Sequence, residues 1–299
     1  MARRVLGCLG LVGLSLLVLG ACKGKPNPTP APVSSVLPAP IASSLPIDPR
    51  IVSAAVNAKG EAPYAGATGT IGGVITISGD EAPDMPEAVA TIPADCAGAK
   101  DTYGKLFREG AGRGVADVVV GVTGYVGYLP EDSPAQVADA AGCAWDARTY
   151  VLTFGQSLDV RSRDSRPYVP NLMGAHLEAQ LVALPRGEAI HLYPEQPGRY
   201  QLTDSMRLFM LADVLVVKFP THAVTSKDGR FVIPHVPVGK VKVSALLPAT
   251  MGQIEKEVEV HAGELVDVQL AIAFDRKDWD ARRGPKSPAP SAAPSASAH

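Results

Sequence analysis

Hydrophobic positions along the chain repeat mostly with a period of two. Thr68-Gly69-Thr70-Ile71-Gly72-Gly73-Val74-Ile75-Thr76-Ile77 predicts a first strand with glycine at its bends. The continuous β-branched run from Val115 to Val122 predicts a central strand. Tyr150 to Phe154 and Leu158 to Val160 flank a turn at Gly155-Gln156, and Val214 to Phe219 reads as another buried strand. Arg230 to Ile233, Val241 to Leu246, Ile254 to Val260 and Leu265 to Ala273 follow. Turn signals at Lys227-Asp228-Gly229, Pro237-Val238-Gly239 and His261-Ala262-Gly263 separate them. Only Pro134 to Ala141 reads as locally helical. Short strands at regular spacing predict an all-β sandwich architecture.

The ends read differently. Arg3 and Arg4 precede an apolar run from Val5 to Leu19, too short for the ~20 residues that cross a bilayer and typical of a secretory signal. Leu19-Gly20-Ala21-Cys22 resembles the lipobox of bacterial lipoproteins. The resemblance implies cleavage of residues 1–21 and acylation of Cys22, which would hold the protein on a membrane through several acyl chains. Lys23 follows instead of Asp, which favours the outer membrane. Eight prolines between 26 and 49 predict a stiff tether over 22–66. Residues 284–299, GPKSPAPSAAPSASAH, predict a low-complexity tail, drawn here as 275–299.

Composition narrows the class. The 299 residues hold 28 Lys+Arg against 30 Asp+Glu, and removal of Arg3 and Arg4 with the signal takes the net charge from −2 to −4. No basic face for nucleic acid is expected. Of the four cysteines, Cys8 leaves with the signal and Cys22 is taken by lipid. Cys96 and Cys143 remain, and an oxidising compartment favours their pairing. Two free thiols or a metal pair fit less well, because no CxxC or HxH spacing adjoins either one.

His222-Ala223-Val224-Thr225-Ser226-Lys227-Asp228-Gly229-Arg230-Phe231-Val232-Ile233, leading to Val236-Pro237-Val238-Gly239-Lys240-Val241, resembles the carboxypeptidase regulatory-like domain. That module is a small non-peptidase β-sandwich, expected here over 217–274. Residues 67–216 resemble, less strongly, the plastocyanin-like cupredoxin domains of exported bacterial proteins, some of them methylamine-utilisation-like. The matching pieces are Gly69 to Val74, Asp95-Cys96, Val115 to Val120, Gly142 to Trp145, Gly155 to Leu158 and Arg163-Asp164. Members of that family bind copper through a His, then a Cys, a His and a Met. Aligned by Phe219-Pro220 and Ala223-Val224-Thr225, these positions carry Tyr168, Asp204, Arg207 and Met210. The thiolate is lost and a fixed cation stands where a metal would sit. No metal and no other cofactor is therefore expected.

Other chemistry is thin. His176, His191, His222, His235 and His261 are scattered singly and read as surface or turn residues. Gly110-Ala111-Gly112-Arg113-Gly114 lacks the Lys-Ser/Thr of a phosphate loop and reads as a hairpin loop. Asp117, Asp146, Asp159 and Asp164 read as solvated, and Arg161, Arg163 and Arg166 as an exposed strand end or an anion-binding face. The leading expectation is a non-enzymatic, lipid-anchored protein of the bacterial envelope. It would be held at the membrane through Cys22 and bind or scaffold a protein or envelope-polymer partner. The alternative is a copper-handling or electron-transfer cupredoxin with altered ligands, using Met210 with Met206 or Met173. An enzyme is a distant third.

Overall fold

The computed structural model describes residues 45–175 and 180–283. Strands dominate, as the alternation predicts. In chain order they are β1 (Thr68–Gly79), β2 (Val119–Thr123), β3 (Ala135–Ala141), β4 (Ala144–Trp145), β5 (Thr149–Thr153), β6 (Ser157–Ser162), β7 (Pro170–Met173) and β8 (Ile190–Leu192). These are followed by β9 (Gly198–Asp204), β10 (Arg207–Val217), β11 (His222–Val224), β12 (Arg230–Pro237), β13 (Gly239–Leu247), β14 (Gly252–Val260) and β15 (Leu265–Phe274). Four sheets result, ordered β5-β10-β9-β7, β4-β3-β6-β8, β12-β1-β15 and β11-β2-β13-β14.

The inward residues of these sheets form two cores. The first gathers Trp145, Leu152, Leu158, Tyr168, Leu202 and Met210. The second gathers Ile71, Ile75, Val120, Ile233, Val243 and Ile272. β13 shows how the pattern places them: Val241, Val243, Ala245 and Leu247 are buried, alternating with Lys240, Lys242 and Ser244.

The sheets do not divide at 216/217. β1 pairs parallel with β15 (Thr70 beside Leu265) and antiparallel with β12, and β2 pairs with β11 and β13. Two stretches of the expected 67–216 unit thus complete the sandwich expected over 217–274. Ile71, Ile75 and Ile77 of β1 supply apolar volume to the second core.

Three expectations are corrected. Residues 135–141 form strand β3, not a helix: parallel pairing with β6 buries Ala138 and Ala140 and overrides the helical preference of an Ala-rich run. The tether does not extend to 66. Asp48 caps α1 (Pro49–Val56) by accepting from the Arg50 N–H at 2.8 Å, Pro49 takes a first-turn position, and Ile47, Val52, Ala55 and Val56 pack on the first core. The tail does not begin at 275: α4 (Arg276–Arg283) sets Trp279 against the second core. Two shorter helical segments, α2 (Pro86–Ala90) and α3 (Ala99–Tyr103), precede β2. The Val115–Val122 run is buried throughout its apolar positions, but only its end joins a strand, because Asp117 turns the backbone to φ +67°.

Candidate functional site

Three of the four aligned positions, Tyr168, Asp204 and Arg207, meet in space. Asp204 ends β9 and Arg207 opens β10, so the hairpin between them brings the two side chains together. Asp204 is fully buried. Its Oδ2 accepts the Val169 N–H at 2.6 Å and its Oδ1 the Met206 N–H at 3.0 Å, and Arg207 Nη1 lies 3.4 Å from Oδ1. The Arg207 guanidinium also covers the Tyr168 ring, 4.9 Å from its centroid, and donates to the Pro167 carbonyl. Met210 is fully buried in the same core. The carboxylate oxygens are thus engaged by backbone N–H groups, and a fixed cation fills the adjoining space.

Tyr168 ties this knot to the disulfide. Its hydroxyl donates to Asp164 Oδ2 at 3.0 Å and accepts the Cys143 N–H at 3.2 Å. Burial, joined by the neighbouring Asp164 carboxylate and opposed by the Cys143 N–H, pushes the Tyr168 phenol up to about 12. Burial works against the Asp164 charge. The N–H groups of Arg166 and Gly142 outweigh it and hold that carboxyl below its usual range. Cys143 is bonded to Cys96, with Cα atoms 5.4 Å apart. Gly142 and Cys143 form the two-residue turn between β3 and β4, both at positive φ (58° and 62°), the geometry of a tight hairpin. Cys22 lies outside the described residues, as does His176.

The arginines Arg161, Arg163 and Arg166 do not present a free basic face. Arg161 and Arg163 share Asp139 at 2.9 and 3.5 Å, and Arg166 reaches Asp164 and Asp95 at 3.6 and 3.8 Å. His191 sits 2.6 Å from Asp159. Gly110 to Gly114 forms a tight turn against the β11–β12 connection. A Cβ on Gly114 would collide with the Asp228 carbonyl, so glycine there serves close backbone approach. Among the described residues, no group of three or more His, Cys, Asp or Glu is placed to hold a metal. No helix among them is long and apolar enough to cross a membrane.

Two polar clusters escaped the sequence reading. Asp117 is buried, not solvated. It accepts both Nε and Nη2 of Arg108 (2.7 and 2.6 Å) and the Arg148 N–H (2.8 Å), while Arg148 Nη1 reaches the carbonyls of Lys105 and Leu106. Burial lowers the Arg148 pKa. It also works against Arg108, where the Asp117 hydrogen bonds win and raise it. The available signal was a carboxylate inside a valine-rich run. His222 is likewise no turn residue. It sits in β11 with Nε2 2.9 Å from Thr153 Oγ1, which lies 2.6 Å from Glu131 Oε2, and burial alone lowers its pKa to about 4.

No protein-family model matches the chain, and no curated protein matches it. Solved structures of amicyanin show a weak structural similarity. A reduced variant of amicyanin shares 22% identity over 27% of this chain and 81% of its own, with a TM-score of 0.25. Amicyanin from Paracoccus versutus shares 14% over 29% and 84%, also at 0.25. Overlap this slight does not bear on chemistry.

Proposed function

We propose that the protein is a lipid-anchored, non-enzymatic component of the bacterial envelope, held by Cys22 and presenting its β-sandwich body to a protein or polymer partner. The observation that supports this reading is the closed knot at Asp204, Arg207 and Tyr168. Groups that could have formed a reactive centre there are engaged with one another, and the Arg207 guanidinium lies against both Asp204 and the Tyr168 ring. The copper-handling alternative needs a donor set around Met210. Asp204 has its oxygens engaged, and Tyr168 is held as the neutral phenol.

Anchoring is tested by fractionating cells that express the full chain as wild type or Cys22→Ser. The wild type partitions into detergent and the variant into the aqueous phase. Equal partitioning of the two contradicts the anchor. Crosslinking in intact cells then compares the partner's recovery between the anchored and released forms.

A further inference from the structure

Between α1 and the body lies an open cleft of about 360 Å³, within the size of small-molecule sites. Val52 and Val56 of α1, with Leu129 and Phe154 of the body, supply its apolar lining. Val52, Val56 and Leu129 remain half-buried, so the helix covers the core without closing over it. An eight-residue helix does not hold itself in water. Its position depends on packing, with Val52 seated on Gly155, where an added Cβ would lie 2.7 Å from Val52 Cγ1.

Two charged residues line the cleft, and they differ. Glu131 is engaged through both oxygens, accepting the Ser133 N–H at 3.0 Å and the Thr153 hydroxyl at 2.6 Å. Lys218 is exposed and has no ion-pair partner among the described residues. The cleft thus joins an apolar trough to one cation without an ion-pair partner among the described residues, while the carboxylate on its wall is taken up by Ser133 and Thr153.

We propose that this cleft binds a single-chain anionic amphiphile, a free fatty acid, with the alkyl chain against Val52, Val56, Leu129 and Phe154 and the carboxylate at Lys218. The proposal is independent of the envelope reading, because it draws on the cleft alone. The full chain carrying Cys22→Ser, which offers no thiol at that position for acylation, is titrated by calorimetry with laurate below its micelle concentration. One saturable site is expected. Each methylene removed from the chain weakens binding about fourfold while the trough is being filled. Dodecanol binds about fivefold more weakly than laurate, the order of one exposed ion pair, and Lys218→Met erases that difference. Ser53→Trp, placed on an exposed position at the cleft, abolishes binding of both with an unchanged circular dichroism spectrum; Val56→Gln serves if that variant fails to fold. Unsaturable heats, laurate affinity unmoved by Ser53→Trp, or tighter binding of dodecylammonium than laurate overturns the proposal. Vesicles of anionic phospholipid are not expected to sediment this variant. Sedimentation without laurate binding would assign the chemistry to a membrane surface and likewise overturn it.

Discussion

Replacing Asp117 with Asn removes one buried negative charge and turns one of its two acceptor oxygens into a donor. Asn keeps the size of Asp and tolerates the positive φ at this position, so the backbone is not the variable. Asn offers one acceptor oxygen where Asp offers two, so one of the two short hydrogen bonds from Arg108, at 2.6 and 2.7 Å, is lost and its N–H faces an amide donor. With its side chain only 15% exposed, Arg108 is left as a buried cation without a counterion. Breaking one side of such a pair costs about 3–5 kcal/mol, because the abandoned charge is not rehydrated. In a folded body of this size that loss lowers Tm by roughly 10 °C. Thermal unfolding followed by circular dichroism at neutral pH measures it. Adding Arg108→Met to Asp117→Asn should recover much of the loss, since the stranded charge is then gone. A Tm for Asp117→Asn within ~2 °C of wild type, far below the loss expected from a stranded buried charge, would refute the claim that this ion pair braces the body.

Stability should also depend on pH through His222. Its folded pKa of about 4 lies below the ordinary 6.5, so the unfolded chain binds the proton first. The contribution is complete above pH ~6.5 and is lost as pH falls from there toward ~4, by about 3 kcal/mol in all. Denaturant midpoints across that window should flatten in His222→Gln, and an unchanged slope would exclude His222 as the source. Removing the disulfide as Cys96→Ser with Cys143→Ser opens a loop of 47 residues and should cost about 4 kcal/mol in the chain-entropy model. Non-reducing peptide mapping should show the Cys96 and Cys143 peptides linked, and two alkylatable thiols in natively exported protein would contradict this.

The strands were legible because period-two alternation and Asp-Gly or Pro-x-Gly turns are local signals. The disulfide was legible because Cys96 and Cys143 remained once Cys8 and Cys22 were assigned to an expected signal and an expected lipid site. Tyr168, Asp204 and Arg207, singled out by alignment, are neighbours in the structure. Partner choice was not legible. Nothing in Thr68–Gly79 says that it lies between β12 and β15, since that pairing bridges opposite ends of the body. The start of α1 carried a signal, Asp48-Pro49, but it followed seven prolines that read as tether. Asp117 was misread because a charge in a valine run is buried only when a partner from elsewhere meets it, and Arg108 and Arg148 are positioned by tertiary structure alone.

The central claim is that Asp204, Arg207 and Tyr168 engage one another and leave no donor set for a metal beside Met210. Titrating the folded chain with Cu(II) while recording visible absorption and Tm tests it most directly. With both cysteines of the described residues held in the disulfide and the Arg207 guanidinium over the Tyr168 ring, the solution should stay without an intense visible band. Tm should also stay unchanged, because only a ligand that prefers the native state raises it. An intense band that grows to one copper per chain, together with a rise in Tm, would contradict the account and restore the electron-transfer reading.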